Sequence, residues 1–240
     1  MCYYISITPK YSDIEKRFGA SFVQSESYKP AFSASAFSYP SIPVITNEKP
    51  DSIELFQWGL IPSWVKDIES ANQIRKRTLN ARSETIFSKP SFRHSIMVKR
   101  CLVIADGFFE WRHENKKAYP YYIKVKDDKP FAIAGIWESW TNPETKEELR
   151  TFSVITTVAN PLLEKIHNTR KRMPVILPVN REKEWLDNSL SREQIASFLR
   201  PYNDSDMYAY TVPNIINKQG YNTGNPEVIK EYDYADLVNI

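Results

Sequence analysis

Cys101-Leu102-Val103-Ile104-Ala105-Asp106-Gly107-Phe108-Phe109-Glu110-Trp111-Arg112 opens as an unbroken apolar run, turns at Asp106-Gly107, and continues through aromatics with one carboxylate among them. Short runs of β-branched and aromatic residues bounded by turn residues read as strands. The same texture recurs at residues 3–7, 53–58, 121–125, 131–136, 152–157, 175–177 and 207–212, a spacing that fits mixed or antiparallel sheets. Helix signals are fewer and fall at residues 12–18, a turn or two after Asn80, 160–166, 180–186 and 191–199. Asn160-Pro161 is an N-cap followed by proline at the first helical position, and Ser191 with Gln194 has capping-box spacing. Residues 24–50, rich in Ser, Pro and Lys, read as an extended surface segment. Residues 203–206 and 222–226 read as turns around a last strand, with the tail packing back on the body. The expected architecture is one α+β domain over residues 1–240, with mixed or antiparallel β-sheets, peripheral short helices and long loops.

Composition narrows the function classes. A chain of 240 residues can bury roughly 70% of its extended surface, enough for a core without staples. No uncharged run reaches the length of a membrane helix, and the N-terminus lacks a signal-peptide pattern, so the reading is a cytosolic protein that does not span a membrane. Two cysteines cannot make a disulfide framework, and no Cys/His cluster has zinc spacing, so neither a metal site nor a cofactor is expected. Only 6 glycines argue against a Gly-rich phosphate loop, while 13% aromatics suit a stiff β-rich core. The net charge of +3 is small, but Arg75-Lys76-Arg77, Lys99-Arg100, Lys116-Lys117 and Arg170-Lys171-Arg172 concentrate the basic residues.

Cys2 is small enough to follow an initiator methionine that is removed, which would leave a free 1,2-aminothiol. Its amine and thiol would both be partly nucleophilic near neutral pH, able to form a Schiff base with an aldehyde and then a thiazolidine. The plainer reading is an apolar filler at a strand start, as Cys101 is within its apolar run. Glu110, set among aromatics, is either a general acid or base with a raised pKa or a partner of Arg112. His167 ends a helix and is either a cap or a proton shuttle, whereas His94 and His113 lie in polar surroundings. Asn80 and Arg82 offer an amide and a phosphate fork, or else a helix cap and an ion pair. Trp58 and Trp64, with Arg75 and Arg77 nearby, have the composition of a single-strand groove, although each Trp alone suits a core.

Taken in order, Met1-Cys2, Trp58-Gly59-Leu60-Ile61-Pro62, Asn80-Ala81-Arg82-Ser83-Glu84-Thr85, Ala105 to Trp111, Ile166-His167 and Arg172-Met173-Pro174 resemble the SOS response-associated peptidase (SRAP) family through nearly the whole chain. The resemblance implies an α+β domain with a basic cleft that crosslinks through Cys2 to abasic sites in single-stranded DNA as a thiazolidine, in the DNA damage response. It implies Cys2 as nucleophile, Glu110 as acid or base, His167 as proton-transfer partner and Asn80 as the positioning amide. Arg82 is then a phosphate contact, and Arg172 falls with Trp58, Trp64, Arg75 and Arg77 among the candidate DNA contacts. The partner implied is abasic single-stranded DNA, bound by a monomer that is nucleoid-associated when on DNA. Lyase-like Schiff-base chemistry and a peptidase or hydrolase activity go with the family and its name. Two other readings stand beside it: a self-processing cysteine peptidase with an N-terminal nucleophile, and a non-covalent single-strand binding module. This chain departs from the family pattern at Tyr3-Tyr4, where Gly-Arg is usual, at Phe37-Ser38-Tyr39-Pro40, and in a longer spacer from His167 to Arg172.

Overall fold

Thirteen strands and six α-helices form the regular frame among the described residues, 2–216 and 223–237, of the computed structural model. The strands are β1 (Tyr4–Ile7), β2 (Ser21–Phe22), β3 (Ala31–Ser35), β4 (Ser41–Thr46), β5 (Ser52–Trp58), β6 (Asn80–Arg82), β7 (Arg100–Ala105), β8 (Gly107–Glu114), β9 (Lys117–Val125), β10 (Phe131–Thr141), β11 (Glu148–Val158), β12 (Arg172–Pro174) and β13 (Met207–Thr211). The helices are α1 (Tyr11–Phe18), α2 (Ile68–Arg75), α3 (Ser95–Val98), α4 (Pro161–Ile166), α5 (Glu182–Trp185) and α6 (Arg192–Phe198).

The strands make two sheets. One runs β13-β9-β8-β1-β3, the other β12-β11-β10-β7-β4-β5-β2. In the second, β5 also pairs in parallel with β11, so the sheet closes on itself in a barrel-like ring that leaves few open edges. Strand β7 is buried at all its positions, as expected for a continuous apolar run covered on both faces. Val103, Ile104, Ala134, Ile136, Phe152 and Val154 belong to the continuous core of this ring.

Strand β1 joins the sheets to a buried polar cluster. Ser6 Oγ donates to Asp106 Oδ1 at 2.6 Å and shares a 2.7 Å hydrogen bond with the Tyr122 hydroxyl, and Thr8 also bonds Asp106. Tyr122 reaches Ser6 only because residue 107 is glycine, since a Cβ there would sit 2.3 Å from the Tyr122 ring and hydroxyl. Gly107→Ala is therefore expected to cost about 1–3 kcal/mol, read as a lower urea midpoint with an unchanged m value.

The α+β architecture matches the expectation, and both helix starts hold. Asn160 accepts from the Leu163 N–H at 2.9 Å with Pro161 beginning α4, and Ser191 with Gln194 forms the complete capping box of α6. The tail does return, with the Tyr234 hydroxyl donating to the Val212 carbonyl at 2.9 Å. Other expectations need correction. Residues 24–50 are no mere surface segment, because β4 lies between β5 and β7 with Ile42, Val44 and Ile45 buried. Pro43 is tolerated there because pairing with β7 begins only at Val44. Asn80 starts a strand rather than capping a helix, since β6 is captured by β11. The strand expected at 175–177 is displaced to β12, leaving Ile176 in a single bridge with Ile133. Of the turn expected at 222–226, Asn222 lies outside the described residues, and Asn225 caps a short 3-10 turn at Pro226–Ile229.

Candidate active site

Two strands and one helix bring the reactive groups together. β1 runs antiparallel to β8, with Ile5 opposite Phe108 and Ser6 opposite Gly107, so continuing the ladder carries the residues before Tyr4 towards Glu110. Cys2 is fully buried, and its thiol points to the Tyr4 carbonyl at 3.8 Å. Burial, and then the neighbouring charge of Glu110, raise the Cys2 pKa, which keeps the sulfur protonated. Glu110 is 4% exposed, and burial pushes its carboxyl up to about 8, so it too is largely protonated at neutral pH.

His167 arrives from the other side. Helix α4 packs on β8, and His167 follows its last residue at 6% exposure. Its Nδ1 lies 3.0 Å from the Arg172 carbonyl and 3.4 Å from Glu110 Oε1. A carbonyl only accepts, so Nδ1 carries the proton and Nε2 is the basic nitrogen. Burial lowers the His167 pKa to about 4, leaving a neutral imidazole beside a neutral carboxyl.

Asn168 holds this pair in register. Its amide accepts from the His113 N–H at 3.0 Å and donates to the His113 carbonyl at 2.7 Å, fastening the loop after α4 to β8, the strand that carries Glu110. Asn168→Ala is expected to lower stability by about 1 kcal/mol and to shift the His167 ring resonances, measurable by denaturation and NMR.

β11 carries the remaining groups on its two edges. Thr156 faces Arg82 of β6 on one edge and Pro174 of β12 on the other. Asn80, opposite Val154, is 8% exposed, and both polar atoms of its amide are buried without a hydrogen-bond partner among the described residues. Leaving such an amide unpaired costs about 1–3 kcal/mol. Arg82 is exposed, and its charge reaches the Tyr3 hydroxyl.

The structure thus brings Cys2, Glu110 and His167 together, with Arg82 at their margin. It withdraws three expected DNA contacts. Trp58 has no exposed surface, stacks on Phe152 at 5.8 Å and donates to the Leu79 carbonyl, so no base can reach it. Arg75 is 8% exposed, lies 4.1 Å over the Tyr39 ring and donates to Gln57, which makes it a buttress. Arg172 is a bidentate partner of Glu84 and donates to the Thr156 carbonyl, so it braces β12. Trp64, at 57% exposure, and Arg77 remain on the surface. The positioning residue missed from sequence is Asn168 in the loop after His167, for which the long spacer before Arg172 was the signal.

Comparison with known proteins bears on this geometry. The family model described as SOS response associated peptidase (SRAP) matches residues 1–219. The chain is 37% identical over 235 residues to abasic site processing protein YoqW of Bacillus subtilis, covering 97% of this chain and all of that protein. It is 29% identical to abasic site processing protein HMCES of Xenopus tropicalis, covering 83% of this chain and 66% of that one. A crystal structure of a protein from Bacteroides thetaiotaomicron superposes with a TM-score of 0.90 at 42% identity, covering 96% of this chain and all of that one.

Proposed function

From the premise that this chain belongs to the SRAP family, we propose that it processes abasic sites in single-stranded DNA by covalent capture through Cys2 after removal of Met1. The observation that carries the reading is the convergence of a buried cysteine, a protonated buried carboxyl and a neutral histidine, Cys2, Glu110 and His167. A charged general acid could not persist in that setting, but a carboxyl held neutral up to about pH 8 can donate a proton at physiological pH.

The steps balance without a redox partner. The closed abasic sugar opens when a proton is delivered to its ring oxygen and its C1′ hydroxyl gives one up, exposing the C1′ aldehyde. The Cys2 α-amine attacks that carbon, and the resulting hydroxyl leaves as water with a proton from Glu110, whose carboxylate takes back the nitrogen's remaining proton as the imine forms. The Cys2 S–H then adds across the C=N bond, sulfur to carbon and hydrogen to nitrogen, closing a thiazolidine with net loss of one water. His167 Nε2 relays the thiol proton, and its Nδ1–H bond to the Arg172 carbonyl fixes the ring for that role. The unpaired Asn80 amide is suited to hold the sugar, and Arg82 to hold a phosphate.

Incubating the Met-processed protein with an oligonucleotide bearing one abasic site tests this directly. The expected product is a band stable to heat and denaturant, whose mass is that of protein plus oligonucleotide less one water. No such product from a folded chain with a free Cys2 amine would sink the proposal.

A further inference from the structure

The strand that carries Cys2 has a short hold on its neighbours. β1 has four residues and meets β8 at two positions, Ile5 opposite Phe108 and Ser6 opposite Gly107. Its ladder with β3 changes register between Ile5 and Ile7. Side chains alternate between the faces of a strand, so a one-residue slip of β1 would turn every side chain over. A two-residue slip would keep the faces but carry Cys2 about 7 Å along β8. Neither is compatible with chemistry that needs the Cys2 amine and thiol at one carbon beside Glu110 and His167.

Asp106, at the turn between β7 and β8, grips β1 at the far end from Cys2. Its N–H donates to the Ser6 carbonyl at 3.0 Å. Its carboxyl accepts from Ser6 Oγ at 2.6 Å, from the Thr8 N–H at 3.3 Å and from the Thr8 hydroxyl. Ser6 has given its one hydroxyl proton to Asp106, so the Tyr122 hydroxyl donates to Ser6 at 2.7 Å, and a directed chain runs from β9 through β1 to the start of β8. Ser6 has no exposed surface and Asp106 is 5% exposed, yet among the described residues no cation pairs with this carboxyl. Burying a carboxyl on hydroxyls alone is costly, and an apolar contact would hold two strands together with less penalty. An apolar contact tolerates sliding, however, whereas these bonds are satisfied in one register only.

We propose that Asp106 is a positioning residue of the abasic-site reaction: through Ser6 and Thr8 it locks β1 on β8 in the register that sets Cys2 against Glu110 and His167. This rests on the function proposed above and names a contact remote from the reacting atoms on which their placement depends. Cys2 is four residues from Ser6, so Asp106 acts through the strand and touches neither nucleophile.

The test measures crosslinking of Asp106→Ala, Asp106→Asn and Ser6→Ala to an abasic oligonucleotide, at a temperature where circular dichroism shows each chain folded. Asn47→Ala controls for lost stability, because Asn47 is 8% exposed and bonds Trp137, Val98 and Asn188, away from β1. Asp106→Ala should lower the rate at saturating oligonucleotide about 100-fold, the loss that a misplacement of about 1 Å produces, with the half-saturating concentration unchanged. Ser6→Ala should lose rate in the same direction, and Asp106→Asn, which keeps an acceptor oxygen, should recover most of it. The alkaline limb that Glu110 gives wild type near pH 8 should move to lower pH in Asp106→Ala and Ser6→Ala, because a displaced β1 lets water reach a carboxyl otherwise faced by Cys2 and His167. Asn47→Ala should be less stable with the wild-type rate and limb. Wild-type rate and limb in folded Asp106→Ala and Ser6→Ala would overturn the positioning role and leave the proposed function standing. An equal loss in Asn47→Ala would reduce the effect to stability and overturn the role as well. If Asp106→Ala does not fold, Ser6→Ala against Asp106→Asn decides. No crosslink from wild type would overturn both readings.

Discussion

Cys2→Ser is expected to abolish the heat-stable adduct, lowering its yield by at least roughly 100-fold, because an alcohol is a far poorer nucleophile towards an imine than a thiol. The serine variant keeps the α-amine, so the first step survives. With cyanoborohydride present, hydride from the reagent reduces the C=N bond and should restore a crosslinked band in Cys2→Ser. Denaturing gels with and without the reductant therefore separate the two nucleophiles of one residue. A variant that still forms a heat-stable adduct without reductant would show that the sulfur has no part in the linkage. Cys2 is fully buried in the main core, so placing a hydroxyl there costs about 1–3 kcal/mol unless it finds a partner. Circular dichroism and a denaturation curve on the same preparation keep loss of chemistry apart from loss of fold.

Glu110→Gln carries the second large effect, and it has two readouts with opposite signs. As a general acid Glu110 must be protonated, so the wild-type rate should fall as pH rises through about 8, the value to which burial pushes the group. Glutamine cannot give up a proton, and the crosslinking rate should drop roughly 10²- to 10⁴-fold and lose that alkaline limb. Stability moves the other way. The folded pKa is raised above the unfolded value of 4.5, so between about 4.5 and about 8 the folded chain holds a proton that the unfolded chain releases. Wild-type stability therefore falls as pH rises across that window, by an amount on the order of 5 kcal/mol once the group is fully ionised. Glu110→Gln should remove this slope and be the more stable protein above pH 8. His167 contributes the mirror image at acid pH. Its folded pKa of about 4 lies below 6.5, so stability falls as pH drops from 6.5 towards 4 and charging the buried ring becomes necessary. Denaturation midpoints measured from pH 4 to pH 9 for wild type and Glu110→Gln check both limbs. A slope between pH 6.5 and 8 that persists in the variant would assign it to another group.

Much of this protein could be read along the chain. Local rules act between residues a few positions apart, and they marked the apolar run of β7, the caps at Asn160 and Ser191, and the order of motifs that carries the family. They also marked Cys2, Glu110, His167 and Asn80 as candidates by residue type and setting. What they could not supply is which side chains end up inside. Trp58 and Phe37 are both large aromatics near prolines, yet one is sealed against Phe152 by closure of the ring through β5 and β11 while the other stands in solvent. Arg75, Arg82, Arg170 and Arg172 are alike in sequence, but tertiary packing ties down the first and last and leaves the middle two exposed, without an ion pair among the described residues. The same holds for residues 24–50, whose prolines and serines concealed a strand that only its two neighbours make buried. The pairing of Glu110 with His167 likewise exists only because α4 packs on β8 and Asn168 fastens the loop between them. Propensity and capping are short-range and survive in a linear reading. Desolvation depends on the whole set of atoms around a group, and that set, which decides both pKa values and the free cations, is assembled by strand pairings distant in sequence.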